Sequence, residues 1–238
     1  MPPEPSPLVC RQPIVLLGGF LIAPASYGPM RERLARLSGQ PVSLVPVGKP
    51  EWLLTVFAER WARILDRVAL EVATQAARSA TGAVTLIGHS SGGIMLRLFL
   101  DDQPFQGRRY NGRALANTLV MLGSPHTARR ASRLRQLVDE RLPGTCFALD
   151  VRYVSVAGDL DLNAPAAADT ARRLAPGAYQ SNCGDRHARG DGLVPVASAL
   201  LAGSEAVVLP GVAHAGLFGT HWYGSPEVVE RWWQDVCG

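Results

Sequence analysis

The stretch "AVTLIGHSSGGIMLRLFL", residues 83–100, constrains the fold of this chain more than any other. One apolar run ends at Gly88, a second begins at Ile94, and only small residues and a histidine separate them. A short continuous apolar run fits a strand buried on both faces of a parallel sheet. A strand over 83–88 that turns at once into a helix over 93–100 leaves its bend residue strained, and the flanking residues must be small to clear the neighbouring chain. Gly88 and Gly92 supply that room. Ser90 then carries its hydroxyl above the sheet at a helix N-terminus, where unpaired amides favour developing negative charge.

The same grammar recurs along the chain. Strands are predicted at 13–19, 42–47, 83–88, 118–123, 151–158 and 205–211, with Pro46 suiting an edge or a strand end. Met30, Leu34 and Leu37 recur at helical spacing over 26–39 ahead of a glycine stop. From 55 to 80, Phe57, Trp61, Ile64, Leu65, Val68 and Val72 follow three- and four-residue steps, which predicts one long helix. A closing helix is expected over 226–236. Parallel neighbours need long crossovers that pack on the sheet, so the expected fold class is α/β, with a mainly parallel central sheet and helices on both faces. With 238 residues, 47% of them hydrophobic, one core suffices, and a single domain over 1–238 is expected behind a flexible, Pro-rich tail at 1–12. Segments 124–150 and 159–190 are too long for turns and follow strand ends, so they are expected to form lid- or cap-like excursions near a ligand.

Composition narrows the function. The net charge of +4 is carried almost wholly by arginine, Lys49 being the only lysine. Basic clusters at 107–113 and 129–136 have no aromatic-rich nucleic-acid signature beside them, so they read as a solvated face and no nucleic-acid partner is expected. The first residues show no basic-then-apolar leader, and no run of about 18 apolar residues follows; the expectation is a soluble cytoplasmic protein. Cys10, Cys146, Cys183 and Cys237 show neither a CxxC pair nor zinc-ligand spacing. Reduced thiols and no metal are expected, a Cys146–Cys183 bridge being the alternative. The phosphate-cradling motifs GxxxxGK[ST] and GxGxxG are both absent.

A serine hydroxyl is nearly inert at neutral pH, so a nucleophilic Ser90, with Ser91 as runner-up, needs a base and an acid that orients the base. Of the five histidines, His89 is expected to point elsewhere, while His126 and His187 lie past a strand end and in an Arg-rich loop. His214, just beyond the last strand, is the preferred base and His221 the fallback. Asp191, between two glycines ahead of a short helix, is the preferred acid over Asp159 and Asp161, whose alternative role is turn capping. An oxyanion needs two backbone donors. Ser91 is one, and the loop "LLGGFLIAP" supplies the other, by position Phe20 with Leu21 next; Leu21 and Ile22 are candidate substrate-binding residues.

Three motifs, "VTLIGHSSGG", "LVMLGSPH" and "GDGLVPVASALLAGSEAVVLPGVAH", give the chain a likeness that runs from Pro13 to Trp233. It resembles the α/β-hydrolase superfamily, and within it bacterial lipase- and esterase-like members, including PGAP1-like and plant or cyanobacterial lipase-type hydrolases. The order Ser90, Asp191, His214 is the one expected there. The resemblance implies a serine carboxyl-ester hydrolase acting on lipid-like or small esters, without cofactor. An acyltransferase using the same triad and a catalytically silent binding module are the alternatives. Segment 127–142 reads as a basic amphipathic helix that could touch an anionic membrane surface or cap the cleft, the second being favoured.

Overall fold

The computed structural model describes residues 11–57 and 59–237. Six strands among them, β1 (Ile14–Leu17), β2 (Val42–Leu44), β3 (Val84–His89), β4 (Ala116–Leu122), β5 (Arg152–Asp159) and β6 (Glu205–Pro210), form one sheet. Their order is β2-β1-β3-β4-β5-β6, and every pairing is parallel. The chain steps outward from β1 to β2 and then returns across β1 to β3. Such a reversal opens a crevice at the carboxyl ends of β1 and β3, where open α/β sheets bind ligands.

Helices α1 (Gly28–Ser38), α2 (Lys49–Phe57), α3 (Ala62–Ala76), α4 (Ser91–Leu100), α5 (Arg133–Arg141), α6 (Asp169–Asn182), α7 (Val196–Ala199) and α8 (Pro226–Cys237) complete the described fold. Alternation along the strands dictates two cores. Val15, Leu17, Leu86, Leu119 and Met121 pack in one layer with Ile64, Leu65 and Val68 of α3 and Ile94 and Leu98 of α4. Ile14, Leu16, Ile87, Val120 and Leu122 pack in the other with Met30 and Leu34 of α1 and Val229 and Trp232 of α8. Full burial of each such side chain contributes about 1.5–3 kcal/mol, so continuous apolar strands are what a sheet covered on both faces requires.

The structure departs from the sequence reading in four places. The single helix expected over 55–80 is two, α2 and α3, separated by Glu59 at φ 50°. Trp52 and Trp61 are nine residues apart, about half a turn out of phase on a straight helix. Both are buried in the same core layer, and Trp61 stacks on Phe105 with centroids 6.0 Å apart. The break turns both rings inward. Segment 159–190 holds the 14-residue α6, whose buried face is only Ala171, Ala175 and Tyr179 and which carries Pro176 inside it. A small-residue stripe and an internal proline hide such a helix from pattern reading.

The tail expected at 1–12 does not extend to Gln12. Residues 1–10 lie outside the described residues, whereas Gln12 is fully buried and donates to Thr85 Oγ1 at 3.0 Å and Asn117 Oδ1 at 2.6 Å. Cys146 and Cys183 are free, so the alternative bridge is not formed. Cys237 is disulfide-bonded, which corrects the expectation of reduced thiols; isolated cysteines carry no pairing signal in their spacing. Among the described residues no helix is long and apolar enough to cross a membrane.

Candidate active site

β3 passes into α4 without an intervening loop, and Ser90 is the junction, at φ 54° and ψ −126°. A positive φ is uncommon outside glycine and marks strain that the surroundings must hold. Here the Ser90 N–H donates to the Leu122 carbonyl of β4 at 2.8 Å. A Cβ on Gly88 would lie 2.5 Å from Gly93 Cα, and one on Gly92 would strike the Leu17 carbonyl. The bend therefore admits only glycine at both flanks.

Two loops from distant parts of the chain close on this bend. His214 follows β6, and its Nε2 lies 3.0 Å from Ser90 Oγ. Its Nδ1 lies 2.8 Å from Asp191 Oδ2, and all three side chains are buried. The His214 N–H also donates to the Asp191 carbonyl at 2.8 Å, so the two loops are joined by backbone as well as side chain. Asp191 Oδ1 accepts from the N–H groups of Leu193 and Val194 at 3.0 and 2.7 Å. Its Oδ2 accepts a second bond, from the Tyr223 hydroxyl at 3.0 Å. That hydroxyl accepts in turn from the Gly158 N–H at 2.6 Å, which commits its own proton to Asp191. Burial and the Asp191 charge push the Tyr223 phenol well above its ordinary range, so it stays a donor. With Nδ1–H pointing at an acceptor, His214 presents a bare Nε2 to Ser90.

A second chain of hydrogen bonds runs behind the first. The Gly19 N–H donates to the Tyr27 hydroxyl at 2.7 Å, so the Tyr27 proton goes to His89 Nδ1, 2.8 Å away. His89 Nε2–H then donates to the His214 carbonyl at 2.9 Å. Burial and the neighbouring His214 hold the His89 imidazole well below its ordinary value, keeping it neutral. Tyr27 and His89 thereby fix the loop after β1 relative to the His214 loop. That loop grazes Ser90: a Cβ on Gly19 would lie 2.9 Å from Ser90 Cβ. Among the described residues neither the Phe20 nor the Ser91 N–H has an intramolecular acceptor, the latter being an orphan of the first helical turn.

Above these groups lies a cavity of about 660 Å³. Phe20, Ile22, Trp52, Ile94, Leu193 and Phe218 make its wall apolar, and α5 and α6 reach it through Ser132, Arg133, Leu134, Arg135 and Asn182. A Glu59–Arg133 ion pair joins the linker between α2 and α3 to the first turn of α5. Among the described residues no three His, Cys, Asp or Glu side chains gather as metal ligands would.

No protein-family model matches the sequence, and no curated protein does. Solved structures do match. One from Xanthomonas campestris pv. campestris, assigned as a hydrolase of the alpha/beta superfamily, is similar at a TM-score of 0.50 and 16% identity, over 94% of this chain and 99% of that one. The chain has the α/β-hydrolase fold. Tomato methylketone synthase I, solved with 2-tridecanone, aligns at a TM-score of 0.49 and 12% identity, over 95% of this chain and 98% of that one.

Within this fold, Ser90, Asp191 and His214 meet in one hydrogen-bonded row, while Phe20, Leu21, Ile22 and Ser91 line the cavity above it. The residues weighed against them lie elsewhere. His221 pairs with Glu227 at 2.7 Å in an exposed position, Asp159 pairs with Arg189, and Asp161 accepts from the Asn163 N–H. His187 is exposed. His126 is buried beside Arg97, whose guanidinium donates to its Nδ1 at 3.3 Å. His89 does not point away from the site: its ring packs 4.9 Å from the His214 ring and holds that residue's carbonyl. Tyr27 and Tyr223 carried no sequence signal, since a buried tyrosine reads as core until its hydroxyl's partners are known.

Proposed function

We propose that this chain is a serine carboxyl-ester hydrolase with Ser90 as nucleophile, His214 as general base and acid, and Asp191 as the group that orients His214. The reading is carried by the unbroken sequence of bonds from Asp191 through His214 to Ser90, at 2.8 and 3.0 Å, at the floor of an apolar cavity. His214 Nε2 takes the Ser90 proton as Oγ attacks the ester carbonyl. Negative charge collects on the former carbonyl oxygen, and the amides of Phe20 and Ser91 receive it, each such donor lowering the barrier by about 3 kcal/mol. His214 returns the proton to the departing alcohol, leaving an acyl-serine. Water then repeats the attack, and the acid leaves with Ser90 restored.

The test is covalent. A fluorophosphonate probe should label the wild-type protein and not Ser90→Ala, and p-nitrophenyl esters of graded acyl length should be hydrolysed by the first only. An unlabelled wild-type protein that turns over no ester in the series would end this reading.

A further inference from the structure

Arg135 is out of keeping with the apolar cavity it lines. Among the described residues three charged side chains reach that cavity, Glu59, Arg133 and Arg135. Glu59 and Arg133 neutralise each other. Arg135 has no ion-pair partner among the described residues: it donates to Asn182 Oδ1 at 2.8 Å and, more weakly, to the Arg130 carbonyl at 3.4 Å. Both acceptors are neutral, and a guanidinium carries five N–H donors in a fixed fork. The carboxylate one turn further along α5, Asp139, lies 3.4 Å from Arg97 instead. Asn182 is itself held, its Nδ2 donating to the Ala178 carbonyl at 2.9 Å, so its oxygen is turned toward Arg135. Arg135 is half-buried, and burial pulls it below its ordinary pKa against the opposing pull of Asp139. Asp139 thus serves two guanidiniums, Arg97 and Arg135, and one excess positive charge, partly desolvated, remains beside the space a substrate would fill.

We propose that Arg135, braced by Asn182, forms an anion subsite of this cavity, so that the preferred substrate is an ester bearing a second, anionic group, a carboxylate, separated from the ester by an apolar spacer. The proposal rests on the hydrolase reading only for the identity of the reacting bond. Glu59 lines the same space and would repel an anion, but it is paired with Arg133, and Asp139 is shared between Arg97 and Arg135, so the excess charge at this wall is positive.

The probes are the monomethyl esters of adipic, suberic and sebacic acids, set against methyl hexanoate, octanoate and decanoate. Binding to Ser90→Ala protein is measured by calorimetry and turnover by wild-type protein through acid release. At least one half-ester should bind about tenfold more tightly than its neutral counterpart at low ionic strength, the return expected of a charge-assisted hydrogen bond. The preference should narrow as salt rises, survive in part in Arg135→Lys, and vanish in Arg135→Met. Equal affinities across the series, or a preference that persists in a folded Arg135→Met protein, would overturn the subsite. If the binding preference holds while wild-type protein hydrolyses neither class, the subsite stands and the hydrolase reading falls. If neutral esters are hydrolysed and no half-ester is favoured, the reverse is true.

Discussion

Asp191→Asn is the substitution whose effect the structure specifies most fully. The carboxylate takes four hydrogen bonds, from the Leu193 and Val194 amides on Oδ1 and from His214 and Tyr223 on Oδ2. An asparagine of the same shape has one acceptor oxygen and one donor NH₂. The two backbone N–H groups cannot turn, so the oxygen goes to them and the NH₂ faces His214 and Tyr223. His214 then accepts at Nδ1 and carries its proton on Nε2, the atom that takes the Ser90 proton in the proposed mechanism. A wrong tautomer of this kind lowers kcat by about 10⁴, or about 5.4 kcal/mol at about 1.36 kcal/mol per decade. The Tyr223 hydroxyl, still accepting from Gly158, loses the acceptor for its own proton, which costs about 1–3 kcal/mol of folding stability. Ester hydrolysis and fluorophosphonate labelling read the first effect, and urea unfolding reads the second. A folded Asp191→Asn protein within tenfold of wild-type kcat would refute the assigned tautomer and the role of His214 with it.

Tyr27→Phe removes the hydroxyl that serves Gly19 and His89 together, so two buried polar groups lose their partner. Unfolding stability should fall by about 2–4 kcal/mol; a loss under about 0.5 kcal/mol in urea would mean that the network is not closed as described. His89 and His126 are both buried and held well below the ordinary histidine pKa, the first by burial and His214, the second by burial and Arg97. Above about pH 6.5 neither state binds the extra protons, and stability is at its full value; below it the unfolded chain takes up two that the folded one refuses. Stability should therefore decline on acidification, approaching about 2.7 kcal/mol per pH unit well below pH 6.5. Urea midpoints unchanged between pH 7.5 and 5.5 would contradict this.

The sheet and the three side chains that meet at the bend were legible for different reasons. Runs such as "PIVLLGG" and "TLVMLG" are apolar throughout because both faces of their strands are covered, and that pattern survives without any knowledge of the neighbours. Ser90 could be read because the bend tolerates no side chain at Gly88 or Gly92, a steric demand written locally. His214 and Asp191 were legible from their places beyond strand ends. What could not be read was whatever depends on contacts between distant segments. Trp52 and Trp61 share a core layer that a continuous helix would have denied one of them, and only the break at Glu59 reconciles them. His89 reads as a mere spacer in "GHSSG" until Tyr27, 62 residues earlier, is found at its Nδ1.

Helix α5 forms part of the cavity wall, yet it supplies no hydrogen-bond partner to Ser90, His214 or Asp191; those are held by loops leaving the sheet and by Tyr223. The hydrogen-bonded row and this part of the wall are consequently held by different elements. On the proposed function, changes at the exposed or half-buried cavity positions of α5, Arg133 and Arg135, would alter which molecules are admitted while the geometry that would break the bond stays where the strands put it.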